Sequence, residues 1–200
     1  MDVVTSGVRA RIARARRKIT AYRDNDEGVA AIEFALLAIP FTVLLFAILE
    51  LAMIFFINAA LDHAASQASR AIRTGQLQEQ FTSSDAQLRE FRDIICENMS
   101  MFEGCDQKLS ITLVVPDSGS FAPYAIPDRP YDPATESVPP DQFECTAPRD
   151  IVIARVEFYH DLVMPGNLTK LGSDPNDSDR HILSTTTVFR TEPFPPATCS

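Results

Sequence analysis

From Phe34 to Ile57 the chain runs for 24 residues with a single charge, Glu50. A helix rising about 1.5 Å per residue makes such a run roughly 36 Å long, enough to cross a hydrocarbon core of about 30 Å with some tilt. The run divides the chain into a short basic part before it and a longer acidic part after it. Which membrane event it performs is the first question the sequence poses.

The formal net charge of −9 conceals a sharp asymmetry. Residues 1–23 carry Arg9, Arg11, Arg14, Arg16, Arg17, Lys18 and Arg23 against Asp2 alone, a net of +6, so the remainder sums to −15. Basic residues directly before a hydrophobic span are what the positive-inside rule places on the cytoplasmic side. The competing reading of such a block is a nucleic-acid-binding arm. The span so close behind it favours the membrane, with the arginines at helix-compatible spacing predicting a weak basic helix at the surface. A leader and a span leave about 140 residues, one modest soluble domain.

Cys96, Cys105, Cys145 and Cys199 all lie beyond the span. An even count confined to the expected outer side points to disulfides in an oxidising compartment. Metal binding is the rival, but the chain has no C-x-x-C pair with accompanying histidines. Four cysteines allow three connectivities. Cys96 and Cys105 are close enough to staple a helix end to the loop after it, which leaves Cys145 with Cys199 by elimination.

Between the basic block and the span lies DNDEG, ending in Gly28, then Val29-Ala-Ala-Ile and Glu33-Phe34. A carboxylate just inside a membrane helix is expensive unless it is paired or kept near the interface. The pattern Gly28-x-x-x-x-Glu33-Phe34 ahead of a long apolar helix resembles the processing site of type IV prepilins. That resemblance implies a prepilin peptidase that cuts between Gly28 and Val29 on the cytoplasmic face. A glycine there lets the backbone enter a protease cleft without side-chain obstruction. Glu33 is then placed to neutralise the new amino group of Val29 or that of a neighbouring subunit.

Glu33-Phe34, Pro40, the mid-span Glu50, the small and polar run from Asn58 through Ala71, and the exit Arg70-x-x-Arg73-Thr-Gly75 form a wider set. Together they resemble the N-terminal region of the TadE/TadG-like family, pilin-like assembly proteins of tight-adherence (Tad, or Flp) pilus systems. The resemblance covers roughly residues 28–76. Phe34 departs from the tyrosine of the major pilins of these systems, and the long domain that follows departs from their short chains. The outer region is shorter than in TadG-like members, so a TadE-type minor pseudopilin is the nearer match. The resemblance implies a structural, non-enzymatic protein in the bacterial inner membrane. Its N-terminus would be cytoplasmic and its C-terminal domain periplasmic. The implied partners are the membrane, a prepilin peptidase, other pilins and Tad pilus assembly proteins, with no nucleic acid and no cofactor.

Glu50 lies well inside the span, where an unpaired carboxylate costs about 2.5–3.5 kcal/mol. Two explanations stand: a polar contact with another membrane helix, or a shifted span that leaves Glu50 near the outer interface. Pro40 would break a soluble helix but is tolerated in a membrane helix. Past the span, Asn58–Arg73 is alanine-rich and unbroken until Gly75, a suitable C-cap behind Arg70 and Arg73. A span and stalk of about 45 residues would be close to 68 Å long.

Residues 83–101 are expected to form a second helix, with Ser84 and Gln87 as a capping box. Leu88, Phe91, Ile94, Ile95 and Met99 supply its apolar stripe. Residues 109–115, 151–159 and 184–190 read as strands. Between the first two lies a proline-rich excursion from Pro116 to Pro148, and residues 164–181 read as a second loop. The expected fold is therefore α+β: a long N-terminal transmembrane and stalk helix, then a small α+β periplasmic domain with an antiparallel sheet. The expected divisions are a leader at 1–28, span and stalk at 29–76, and the outer domain at 77–200.

No catalytic constellation or metal site emerges. DPNDSD at 174–179 offers carboxylates for calcium but lacks the glycine and the terminal glutamate of an EF-hand, so a solvated turn is the default. His160-Asp161 has no accompanying nucleophile motif, and the chain has no G-x-G-x-x-G or P-loop. Two other functions stay in view. One is a membrane-anchored periplasmic enzyme; the other is a secreted protein cut near Ala64-Ala65, against which the length of the apolar run argues.

Overall fold

A computed structural model of the protein describes residues 28–116 and 138–195. The basic leader, Cys199 and most of the proline-rich excursion lie outside the described residues. The chain divides into two compact units, one up to Ile48 and one from Leu49 onward.

Helix α1 is Val29–Arg73, a single helix of 45 residues with Pro40 inside it. Proline has no N–H to give to the carbonyl one turn back, yet the helix continues through it. In the first unit, the large apolar side chains of Ile32, Phe34, Leu36, Leu37, Ile39, Phe41 and Leu44 are all exposed. None of the helix's most apolar 18-residue window is buried, and the helix is long and apolar enough to cross a membrane.

In the second unit the same helix becomes a core element. Ile54, Ile57, Leu61, Ala64, Ala65, Ala68, Ala71 and Ile72 are buried. Their spacing of three and four residues is the period of one helix face. The alanines share one buried core with residues of the sheet, and Ser69 Oγ meets Thr187 Oγ1 at 2.9 Å. The helix ends where expected: the amide of Gly75 donates to Ile72 O at 3.1 Å, with Gly75 at φ 82°. A β-carbon there would lie 2.6 Å from the Phe194 ring, so glycine is required by both conformation and contact.

After the short helix α2 (Gln76–Gln80), α3 runs Ser84–Asn98. Its cap is Ser83 rather than the expected Ser84: Ser83 Oγ accepts from Ala86 N at 3.3 Å. The side-chain amide of Gln87 is buried and donates to Phe81 O at 2.8 Å. The expected stripe faces the core, with Phe91, Ile95 and Met99 buried and Leu88 and Ile94 packed beside them. Cys96, near the end of α3, is joined to Cys105 at the start of helix α4 (Cys105–Lys108), with Cα atoms 5.7 Å apart. Cys145 is also disulfide-bonded.

The Cys96–Cys105 bridge closes a loop with a sequence separation of 9. On the chain-entropy account, replacing both residues by serine should lower the stability of the second unit by about 2–3 kcal/mol. Urea titration of the detergent-solubilised protein would read this as a lower midpoint at unchanged slope. An unmoved midpoint would mean that the helix end is held by packing alone.

Four strands make one sheet in the order β2-β1-β3-β4. They are β1 (Leu109–Val114), β2 (Gln142–Phe143), β3 (Ile151–Asp161) and β4 (Arg180–Arg190). β3 pairs antiparallel with β1 (Leu109 opposite Phe158) and with β4 (Ile151 opposite Arg190). β2 pairs parallel with β1, so the sheet is mixed and the antiparallel expectation is corrected. The parallel strand sits in the proline-rich connection, which is long enough to carry the chain back to the free edge of β1 in the same direction. Its two residues show no alternation, and side chains complete the edge: Asp141 Oδ1 accepts from Ile111 N at 2.8 Å and Glu144 Oε2 from Val115 N at 2.7 Å. Asp141 is in turn paired with Arg92 of α3. β4 begins four residues earlier than expected, inside the segment read as a loop.

Candidate functional site

The residues singled out by the sequence fall at two places on α1. At its start, Gly28 precedes the first helical residue, Val29, and Glu33 and Phe34 are exposed. Val29 and Glu33 are four residues apart on a helix, and so lie one above the other on one face. A β-carbon built on Gly28 meets nothing within 4 Å. Gly28 therefore has no packing reason to be glycine among the described residues.

Glu50 is the second place, and the structure gives it partners in its own chain. It is only 5% exposed. Its carboxylate accepts from the backbone N–H of Val163 at 2.5 Å and from that of Met164 at 3.2 Å. These two residues belong to the turn that leaves β3, and neither could have been paired with Glu50 from the sequence. The signal was present in part: Leu162-Val-Met-Pro165 is an apolar tip directly after a strand, a segment whose backbone donors need an acceptor if they are not to be left bare.

That turn is tightly built. Leu162 N donates to Asp179 O at 2.7 Å, and Gly166 N to Asp179 Oδ1 at 2.8 Å. A short helix, α5 (Gly166–Thr169), follows. β-Carbons on Gly166 and Gly172 would lie 1.6 Å and 2.0 Å from Ser178 O, so both glycines mark where backbone passes backbone.

Charged groups close the base of the turn. Asp161 lies 3.0 Å from Lys108 Nζ and 3.3 Å from Arg180 Nε. Burial pushes the Asp161 carboxyl up, but the hydrogen bonds and charges of Lys108 and Arg180 outweigh it and hold the group below its ordinary range. Burial, followed by the Lys108 charge, holds the His160 imidazole below its ordinary range against the opposing pull of Asp161 and Glu50. His160 and Asp161 are successive strand residues and so point to opposite faces. With Asp161 engaged by two cations, the pair is not an acid–base dyad.

Arg180 also reaches Asp174 at 3.6 Å and Asp177 at 3.7 Å. The 174–179 segment is thus organised around a guanidinium, and Asp179 is turned to the Gly166 amide. Among the described residues no group of His, Cys, Asp or Glu is arranged to hold a metal ion.

The exposed apolar helix is long enough to cross a membrane and is followed by a disulfide-bonded α+β unit. The family model of the TadE-like proteins matches residues 28–70. At family level the match supports a Tad pilus-associated pseudopilin. The match ends within α1, so α2 to α5 and the sheet lie outside it. No curated protein and no solved structure matches the chain.

Proposed function

We propose that this chain is a TadE-type minor pseudopilin, a structural assembly component of a Tad pilus system. A prepilin peptidase removes residues 1–28. The span lies in the bacterial inner membrane with its N-terminus cytoplasmic, and the α+β unit projects into the periplasm. Its partners are other pilins and Tad assembly proteins, met through the membrane helix and the outer surface.

The observation that carries this reading is the position of Gly28. The family match begins at that residue, the basic block precedes it, and the apolar helix starts at the next residue. The glycine is needed by no contact in the described chain, which fits a residue selected for a protease cleft. After the cut, the Val29 ammonium would add to the positive end of the helix dipole, and Glu33, one turn on, would offset both.

Co-expression with and without a prepilin peptidase tests the reading. The expected result is a chain shorter by residues 1–28 only when the peptidase is present. Identical masses in the two cells would overturn it.

A further inference from the structure

The apolar tip between β3 and β4 has no role in the assembly reading, and its placement points to one. Val163 is 85% exposed and Leu168 is 57% exposed, although both lie on a segment held rigid by Asp179 and the close approach of Gly166 to Ser178. Exposed apolar side chains on a tightly built turn are not explained by slack in the chain. They present a surface to something.

Glu50 fixes where that surface stands. Its bonds to the Val163 and Met164 amides tie the tip to α1 at the level of Glu50. Beyond Glu50 the exposed side of α1 is still apolar, with Leu51, Met53, Phe55 and Phe56 all open. From Glu50 to Phe56 is about 9 Å of helix rise. The outward side chains then change character, with Asn58 half-buried and Asp62 exposed. The tip is therefore bonded to a stretch of helix whose free surface is suited to lipid, below the point where that surface becomes polar. Lys170, exposed and two residues after Leu168, sets a cation beside the apolar side chains, the pairing that suits the boundary between acyl chains and anionic headgroups.

We infer that the 162–168 tip is a lipid-contact surface, which enters the outer headgroup boundary of the bilayer and seats the second unit on the membrane, with Glu50 as its latch to the helix. The inference rests on α1 crossing a membrane as proposed above. Lipid is favoured over a protein partner by continuity: the tip extends an apolar surface that the helix itself presents to the bilayer.

The sequence contains no tryptophan, so one introduced tryptophan is the sole such fluorophore. Val163→Trp, Leu168→Trp, Phe41→Trp and Val188→Trp are each made in the full chain, at positions that are all exposed. Each is reconstituted into phosphatidylethanolamine/phosphatidylglycerol vesicles with lipids brominated either near the glycerol end or near the methyl end of the acyl chain, the first reporting on the tip and the second on Phe41→Trp. Blue-shifted emission and loss of fluorescence to the brominated lipid are expected for Val163→Trp and Leu168→Trp, and neither for Val188→Trp on β4. Quenching at Phe41→Trp with none at either tip position would overturn the lipid contact and leave the span standing. Absence of quenching at Phe41→Trp would overturn the span and the inference with it. A blue shift at the tip without bromine quenching would assign the surface to protein and overturn the lipid reading.

Discussion

Phe91→Ala is expected to lower the stability of the unit from Leu49 onward by about 3–5 kcal/mol. Phe91 is fully buried on α3, and its ring meets that of Phe143 edge-on with centroids 6.1 Å apart. The change would remove a large apolar side chain and leave a cavity that a sheet-backed helix fills poorly. It would also remove the ring contact that Phe143 makes from β2, a strand that offers only two residues to the sheet. A domain's total stability is of the order of 5–15 kcal/mol, so the variant should sit near its unfolding midpoint in modest denaturant. Denaturant titration followed by far-ultraviolet circular dichroism reads the loss. A decrease below about 1 kcal/mol would mean that the α3–β2 packing is not part of the cooperative core.

Glu50→Ala is the second large effect, and its mechanism is different. The carboxylate answers two backbone amides, and hydrogen bonds to a charged group contribute about 1.5–3 kcal/mol. Removing it leaves the Val163 and Met164 donors without their acceptor, so the loss should fall on the turn first. Hydrogen exchange is the discriminating measurement: the amides of Val163 and Met164 should exchange faster while those of β1 keep their protection. Glu50→Gln, which retains an acceptor oxygen, should recover part of the protection. Unchanged exchange at residues 163 and 164 in the alanine variant would remove Glu50 from the role of latch.

These two residues also mark where sequence reasoning reached and where it stopped. Phe91 was legible because a helix repeats its buried face every three or four residues, and Leu88, Phe91, Ile94, Ile95 and Met99 keep that period. Gly75 was legible for a similarly local reason, a helix end followed by a left-handed turn. Cys96 and Cys105 were legible because the chain between them is short.

Glu50 was legible as an anomaly, a carboxylate in an apolar run, but its partners are more than a hundred residues away. Pattern within a window carries no information about such a contact. The same limit hid β2: two strand residues have no alternation to detect, and their pairing depends on Asp141 and Glu144 reaching β1 from the side. The buried face of α1 beyond Leu49 was masked by composition. Its alanines read only as a stalk continuing the span, whereas in the structure Ala64, Ala65, Ala68 and Ala71 belong to the hydrophobic core.

The central claim is that α1 begins at a bond meant to be cut. Its most direct test is the N-terminal residue of the chain purified from the membranes of a cell that has a prepilin peptidase. The account predicts Val29. A chain that still begins at Met1 in that cell, or one that begins near Ala64-Ala65 after an ordinary signal-peptide cut, would contradict it.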